Sequence, residues 1–198
     1  MSEPRREPKQ KRSIRTRERL LDAARRQFAE QGYRETQSGD IAKAAGVSVG
    51  TFYEYFSDKR TAYLMVIREL FDAILSIDFV DPFAKEPATT RWYRLIDLFR
   101  VLDEHIKPFG RLESDIPAVA ADDDLIRREL DSFEVEMVSR LVHIVKDGIS
   151  DDSADRVDAA AALLWAMIRS AVQRKNDHDM AVAETSFAID RYLTALGR

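Results

Sequence analysis

The sequence predicts an all-α fold of about nine helices, and three observations point there. The 198 residues include only 7 Gly and 6 Pro, too few for the tight turns that a strand-rich chain needs. Hydrophobic residues make up 45% of the chain, enough to build a core and to exclude wholesale disorder. The apolar residues also recur at helical spacing, beginning with Leu20, Leu21, Ala24 and Phe28.

Residues 1–12 show no apolar periodicity and read as a flexible basic arm. The first helix starts near Ile14, with Ser13 or Thr16 as its cap, and stops at Gly32. A second helix fits 38–45, with Ile41, Ala42 and Ala45 on its inner face and Gly46 at its end. A third fits 49–55, capped by Ser48, whose hydroxyl reaches the backbone N–H of Gly50 or Thr51. Ser57 then caps a long apolar helix running to about Ile77, with Asp58 in its positive first turn. Residues 78–89, with Pro82 and Pro87, read as a connection. Further helices fit 90–106, 108–121 and 123–147, the second opened by Pro108. A break at 148–152 precedes helices at 153–174 and 179–196. The expected division is an arm (1–12), a small domain (13–57), a connecting helix (58–77) and a helical body (78–198).

Composition narrows the function. The chain has no cysteine, which excludes disulfides, thiolate zinc sites and cysteine nucleophiles and fits a reducing compartment. The charged start is unlike a signal peptide, and no apolar run approaches a membrane span. A cytoplasmic protein with no membrane partner is expected. Residues 1–60 hold 14 Lys+Arg against 9 Asp+Glu, whereas the remainder holds 17 against 26. A basic end on an acidic body suggests a polyanion partner at that end.

The informative stretch runs Gly32-Tyr33-Arg34-Glu35-Thr36, then from Asp40 to Phe56, then Lys59. Two short helices flank a tight turn at Gly46-Val47. Ala42 is small where they cross, Gly46 supplies positive φ, and Val47 fills the space beneath. Phe52 and Phe56, four apart, bury one side of the third helix. That leaves Gly50 and Glu54 outward, flanked by Thr51, Tyr53 and Tyr55. A helix so arranged is built to enter a major groove. Hydroxyls, helix N-termini and lysines are typical phosphate ligands.

This stretch closely resembles the DNA-binding domain of TetR-family regulators, over about Ser13 to Phe71. The resemblance implies a three-helix domain with 38–57 as the helix-turn-helix and 49–55 as the recognition helix. By position it assigns Tyr53 and Lys59 to phosphate contacts. It places Thr36, Ser38 and Ser48 near the DNA backbone, and Val49, Gly50, Thr51, Glu54 and Tyr55 near base edges. The sequence departs from the family pattern at Ser38, where many members carry an apolar residue. It departs again at Gly39 and Val49, where some carry longer polar side chains. Val49 offers only apolar contact, for example to a thymine methyl, and Glu54 either accepts from cytosine N4 or points to solvent. With few long donors, the reader leans on DNA shape and on the arm residues Arg5, Arg6, Lys9, Lys11 and Arg12.

For the body the resemblance is one of layout. It implies a homodimer formed by the last two helices, a palindromic operator in double-stranded DNA, and a small-molecule effector. The run Ala159–Ala162 with Leu163, Leu164 and Trp165 is apolar almost all round, so it needs covering on two sides. Candidate pocket residues are Trp92, Tyr93, Phe99, Leu102, Phe109, Phe133, Met137, His143, Trp165 and Arg169. Plain core packing is the competing reading for the aromatics, and an internal salt bridge for Arg169. His105, His143 and His178 lack metal-ligand spacing, and no phosphate-binding glycine loop, nucleophile elbow or His-Glu metal pair occurs. No catalytic residue, metal or cofactor is therefore expected. The function predicted is a repressor released from its operator by an effector. The rival readings are a ligand-binding helical protein and a dimeric interaction module, neither with a specific operator.

Overall fold

A computed structural model describes residues 9–77, 88–146, 154–172 and 178–196. These residues form nine α-helices and no strand: α1 (Lys9–Gln31), α2 (Ser38–Ala44), α3 (Val49–Tyr55), α4 (Lys59–Leu75), α5 (Ala88–Ile106), α6 (Arg111–Asp122), α7 (Asp124–Lys146), α8 (Ala154–Val172) and α9 (His178–Leu196). A 3-10 turn, Lys107–Phe109, joins α5 to α6. No helix among the described residues is long and apolar enough to cross a membrane.

The described residues divide into two compact units. The first runs to Leu70 and takes in Pro108–Ile126; the second holds Phe71–Lys107 and the chain from Arg127 onward. The first unit thus contains α6, which the sequence reading had placed in the body. The helix α4 contributes to both units.

In the first unit, α1 packs against α2 and α6, and α2 against α3. Its core is built from Leu20, Ala24 and Phe28 of α1, Ile41 of α2, Phe52 and Phe56, and Tyr63, Val66 and Ile67 of α4, all buried. Phe28 meets Tyr63 edge-on at 5.0 Å between ring centroids. The helix α1 begins at Lys9, so 9–12 are helical and not a loose arm. After Pro8 the run Lys9-Gln10-Lys11-Arg12 consists of good helix formers, and propensity carries the helix back without any apolar stripe. Arg5 and Arg6 lie outside the described residues.

Two helix starts follow from local chemistry. Asp40 accepts the backbone N–H of Gln37 at 3.0 Å, closing one half of a capping box at the start of α2. At α4 the cap is Asp58 and not Ser57. The Asp58 carboxylate takes the N–H of Thr61 at 2.7 Å and its hydroxyl at 2.8 Å, while Ser57 pairs with the Thr61 hydroxyl. Asp58 holds the N-cap position, directly before Lys59 and three residues ahead of Thr61, and its charge suits the positive helix end. The Thr61 backbone N–H, chiefly, holds the Asp58 carboxyl below its ordinary pKa.

Asp58→Ala should therefore cost about 1 kcal/mol at pH 7. A carboxyl whose folded pKa is depressed stabilises the fold above its unfolded pKa, and that contribution fades as pH falls through the folded value. Urea unfolding of both proteins at pH 7 and at about pH 3 should show the gap narrowing with acid. A gap equal at both pH values would refute the charged cap.

In the second unit, α5 packs against α8 and α9, and α8 against α9. The buried faces carry Leu98, Phe99 and Leu102 from α5, Phe133, Met137 and Leu141 from α7, and Ala161, Leu164, Trp165 and Ile168 from α8. Phe71 stacks on Phe133 at 4.1 Å, and Trp165 meets Phe133 edge-on at 5.7 Å. The outer face of α8 remains open in the single chain: Ala159, Ala162, Leu163 and Ala166 are all exposed.

Candidate nucleic-acid interface

The turn between α2 and α3 is set by one glycine and one hydroxyl. Gly46 adopts φ +67°, with no atom within 4 Å of where a Cβ would stand. The left-handed backbone alone requires glycine here. Val47 then donates its N–H to the Ala42 carbonyl at 3.0 Å. Ser48, in extended conformation, accepts the Thr51 N–H at 3.1 Å and shares a 3.0 Å hydrogen bond with the Thr51 hydroxyl. The cap is thus Ser48 to Thr51, one of the two partners the sequence allowed.

With Phe52 and Phe56 buried, the opposite side of α3 faces outward. Val49 is 45% and Tyr53 54% exposed. Ser48, Gly50 and Glu54 are also exposed, and Ser38, Thr51 and Tyr55 half-buried. The Tyr53 ring rests edge-on against Phe52 at 5.4 Å, which fixes its direction while leaving the hydroxyl free to face outward. Tyr55 donates its hydroxyl to Ser13 of α1 at 3.1 Å, so part of its bonding capacity is spent inside the protein.

Two predicted contact residues turn inward. Thr36 is fully buried, and its hydroxyl donates to the carbonyls of Gly32 at 2.8 Å and Gln27 at 3.2 Å. It ties off the end of α1 and offers its side chain to nothing outside. Lys59 is half-buried and donates to the carbonyls of Tyr33 at 2.8 Å and Arg34 at 3.4 Å. Its ammonium also lies 4.5 Å from the centre of the Tyr33 ring. Burial lowers the Lys59 pKa. The lysine clamps the turn after α1 to the start of α4, leaving one N–H for any outside acceptor.

Sequence reasoning missed the part played by α6. Asp115 accepts the backbone N–H of Tyr33 at 3.1 Å. Asp122 pairs with Arg34 at 3.1 Å and Asp123 with Arg60 at 3.5 Å, all in exposed or half-exposed positions. Such surface pairs add little stability, but they place two carboxylates beside two arginines of the basic stretch 1–60. Gly110, at φ +49°, was the available signal that a backbone must come close at the start of α6.

The pocket candidates scatter. Phe99, Leu102, Phe133, Met137 and Trp165 are buried in the second unit, where Phe71 joins them. The Trp165 indole N–H is buried with no hydrogen-bond partner among the described residues. Phe109 belongs instead to the first unit, under the guanidinium of Arg25. His143 is exposed, and Arg169 is an exposed residue paired with Glu134. The bridge foreseen as internal thus lies at the surface, because each side chain has solvent on its far side. The side chains of Trp92 and Tyr93 lie outside the described residues.

Comparison with known proteins agrees with this geometry. Residues 20–61 match the family model of bacterial regulatory proteins, tetR family. The chain is 52% identical over 44 residues to the HTH-type transcriptional regulator AcrR of Shigella flexneri, covering 22% of this chain and 20% of that one. It is 36% identical over 72 residues to the fatty acid metabolism regulator protein of Bacillus subtilis (strain 168), covering 36% of each. The matched stretches thus span well under half of these relatives. Over the whole fold, the crystal structure of a TetR-family transcriptional regulator from Cytophaga hutchinsonii aligns with a TM-score of 0.75 at 16% identity, covering 93% of this chain and 96% of that one. GusR of Salmonella enterica aligns with a TM-score of 0.69 at 24% identity, covering 92% and 95%. The matched segment coincides with the capped, outward-facing α3 and its supports, so residues 20–61 carry the N-terminal domain of the tetR family of bacterial regulatory proteins, and the chain as a whole shares the fold of the solved TetR-family regulators.

Proposed function

We propose that this regulator is a cytoplasmic homodimer that represses by binding a palindromic operator in double-stranded DNA, and leaves it when a small-molecule effector enters the C-terminal unit. The observation that carries the reading is α3. It is a capped helix held from below by two buried phenylalanines, and its outer face presents Val49, Gly50, Tyr53 and Glu54.

A helix of this kind enters the major groove with its N-terminal residues at base edges. Val49 suits a thymine methyl. The Tyr53 hydroxyl and the N-terminus of α3, with Ser48 and Ser38 beside it, suit phosphates. Gly50 lets the backbone approach the bases closely. Thr36 and Lys59 act from within, by holding the turn after α1. A twofold partner repeats α3 about 34–36 Å away, one turn of DNA.

The uncovered small-residue face of α8 supports the dimer, since apolar surface of this extent calls for a partner. Trp165, with its buried indole N–H against Phe133, supports an effector that is mostly apolar and carries one hydrogen-bond acceptor. Release follows if the effector favours the arrangement in which the two α3 helices no longer match one turn. The helix α4, shared by both units, is the element to carry that bias.

The test is a gel-shift titration with the promoter region of the regulator's own gene. A retarded complex should form, with affinity falling steeply as salt rises, because phosphate neutralisation releases counterions. A folded dimer giving no shift even at low salt would sink the operator reading. Glu54→Ala should leave overall affinity within a few-fold if the carboxylate faces solvent, and should relax the choice of base at one position if it accepts from cytosine. Binding to a panel of single-base operator variants separates the two.

A further inference from the structure

We infer that two copies of this chain pair through α9 in one antiparallel register, set by Glu184 against the partner's Arg191. The inference rests on the homodimer reading above and names the contacts that fix it.

Residues Met180, Glu184, Phe187, Ala188, Arg191 and Ala195 are all exposed. At 3.6 residues per turn they share an arc of about 100°. Ala181, Val182, Ser186 and Ile189, on the other side of α9, are buried. The exposed stripe is unusual for a lone surface: Met180 is 62% and Phe187 56% exposed. The Arg191 guanidinium lies over the Phe187 ring, 5.8 Å from its centre. Beside the stripe runs an open groove of about 410 Å³, floored by small residues that include Ala166, Ser170 and Ala171 of α8 and Thr185 and Ala188 of α9.

A twofold interface is self-complementary, so each residue of the stripe must suit another of the same stripe. An antiparallel crossing centred between Phe187 and Ala188 satisfies this throughout. It sets Glu184 opposite the partner's Arg191, Phe187 opposite Ala188, and Met180 opposite Ala195. Opposite charges meet twice, and each bulky apolar side chain faces an alanine. The partner's Phe187, meeting Ala188, lies over the small-residue groove. Two alternative antiparallel registers fail on charge. Centring on Glu184 sets carboxylate on carboxylate, and centring on Arg191 sets guanidinium on guanidinium. An in-register parallel pairing repeats both clashes. Like charges brought together in this way suppress the wrong arrangement.

Glu184→Arg and Arg191→Glu, made separately, test the register. Each single change produces two like-charged pairs across the twofold axis. Sedimentation over a concentration series should show a dimer dissociation constant raised at least tenfold for either variant. Circular dichroism should show unchanged helix content. An equimolar mixture of the two variants makes both cross pairs opposite in charge. It should form a heterodimer close to wild-type strength, identified by native mass spectrometry. Misfolded chains cannot produce that recovery. Singles that dimerise like the wild type, or a mixture no tighter than its components, would overturn the register while leaving the homodimer intact. A wild-type chain that stays monomeric at tens of micromolar would overturn the dimer itself.

Discussion

Gly110→Ala is expected to lower the stability of the N-terminal unit by about 2–4 kcal/mol. Two costs combine. Gly110 has φ +49° and ψ −121°, a conformation that an L side chain enters only under strain. A Cβ there would also stand 2.7 Å from the carbonyl oxygen of Ala29 and 3.2 Å from its Cβ. The obstacle is the backbone of α1, which no rotamer change can move aside. Gly46→Ala provides the comparison. Its φ is also positive, but open space surrounds the new methyl, so only the backbone cost of about 1–2 kcal/mol applies. Urea unfolding of the three proteins side by side should rank them wild type, Gly46→Ala, Gly110→Ala. If Gly110→Ala is no worse than Gly46→Ala, α6 does not approach α1 as closely as described. The result also bears on function, because α6 holds Tyr33 through Asp115 and meets Arg34 and Arg60 through Asp122 and Asp123. Loosening it removes support from the turn that Lys59 clamps.

The residues that sequence reading placed well are those whose roles depend on near neighbours. Ser48 caps α3 through a residue three positions on; Phe52 and Phe56 share a face because they are four apart; Gly46 breaks a helix within one turn. Periodicity and capping are local rules, and they recovered the helices along the chain. The partners that sequence reading did not disclose are distant in sequence. Lys59 reaches carbonyls 25 and 26 residues away, and a lysine near a recognition helix looks the same whether it faces phosphate or a carbonyl. Thr36 is a hydroxyl on a loop, which reads as surface until Gln27 and Gly32 are seen to claim it. Asp115 finds Tyr33 across 82 residues, a pairing that no spacing rule anticipates. The same limit explains Phe109, where an aromatic at helical spacing revealed that it would be buried but not in which unit. Ser57 and Asp58 differ for another reason. Both are good caps by type, and the choice turned on one residue of helix phase, the least certain feature of a sequence-based boundary.

Neighbouring residues on α3 should fail in opposite ways, and this pair separates support from contact. Phe52→Ala removes a ring that is fully buried against the core of a small unit. A loss of about 3–5 kcal/mol is expected, combining lost transfer energy with the cavity left behind. Much of the N-terminal unit should then unfold at 37 °C, and operator binding should vanish with it. Tyr53→Phe keeps the ring on its 5.4 Å edge contact with Phe52 and removes only an exposed hydroxyl. Its stability should stay within about 0.5 kcal/mol of wild type. Operator affinity should fall about threefold to tenfold, the worth of one hydrogen bond to a phosphate. Because a phosphate contact carries no sequence information, that loss should be uniform across operator variants. Paired urea unfolding and gel-shift titrations give both readouts for each protein. A stable Phe52→Ala variant would mean that α3 does not rest on that ring. A Tyr53→Phe variant binding DNA like the wild type would remove the hydroxyl from the interface, leaving Val49 and the helix N-terminus to account for the affinity.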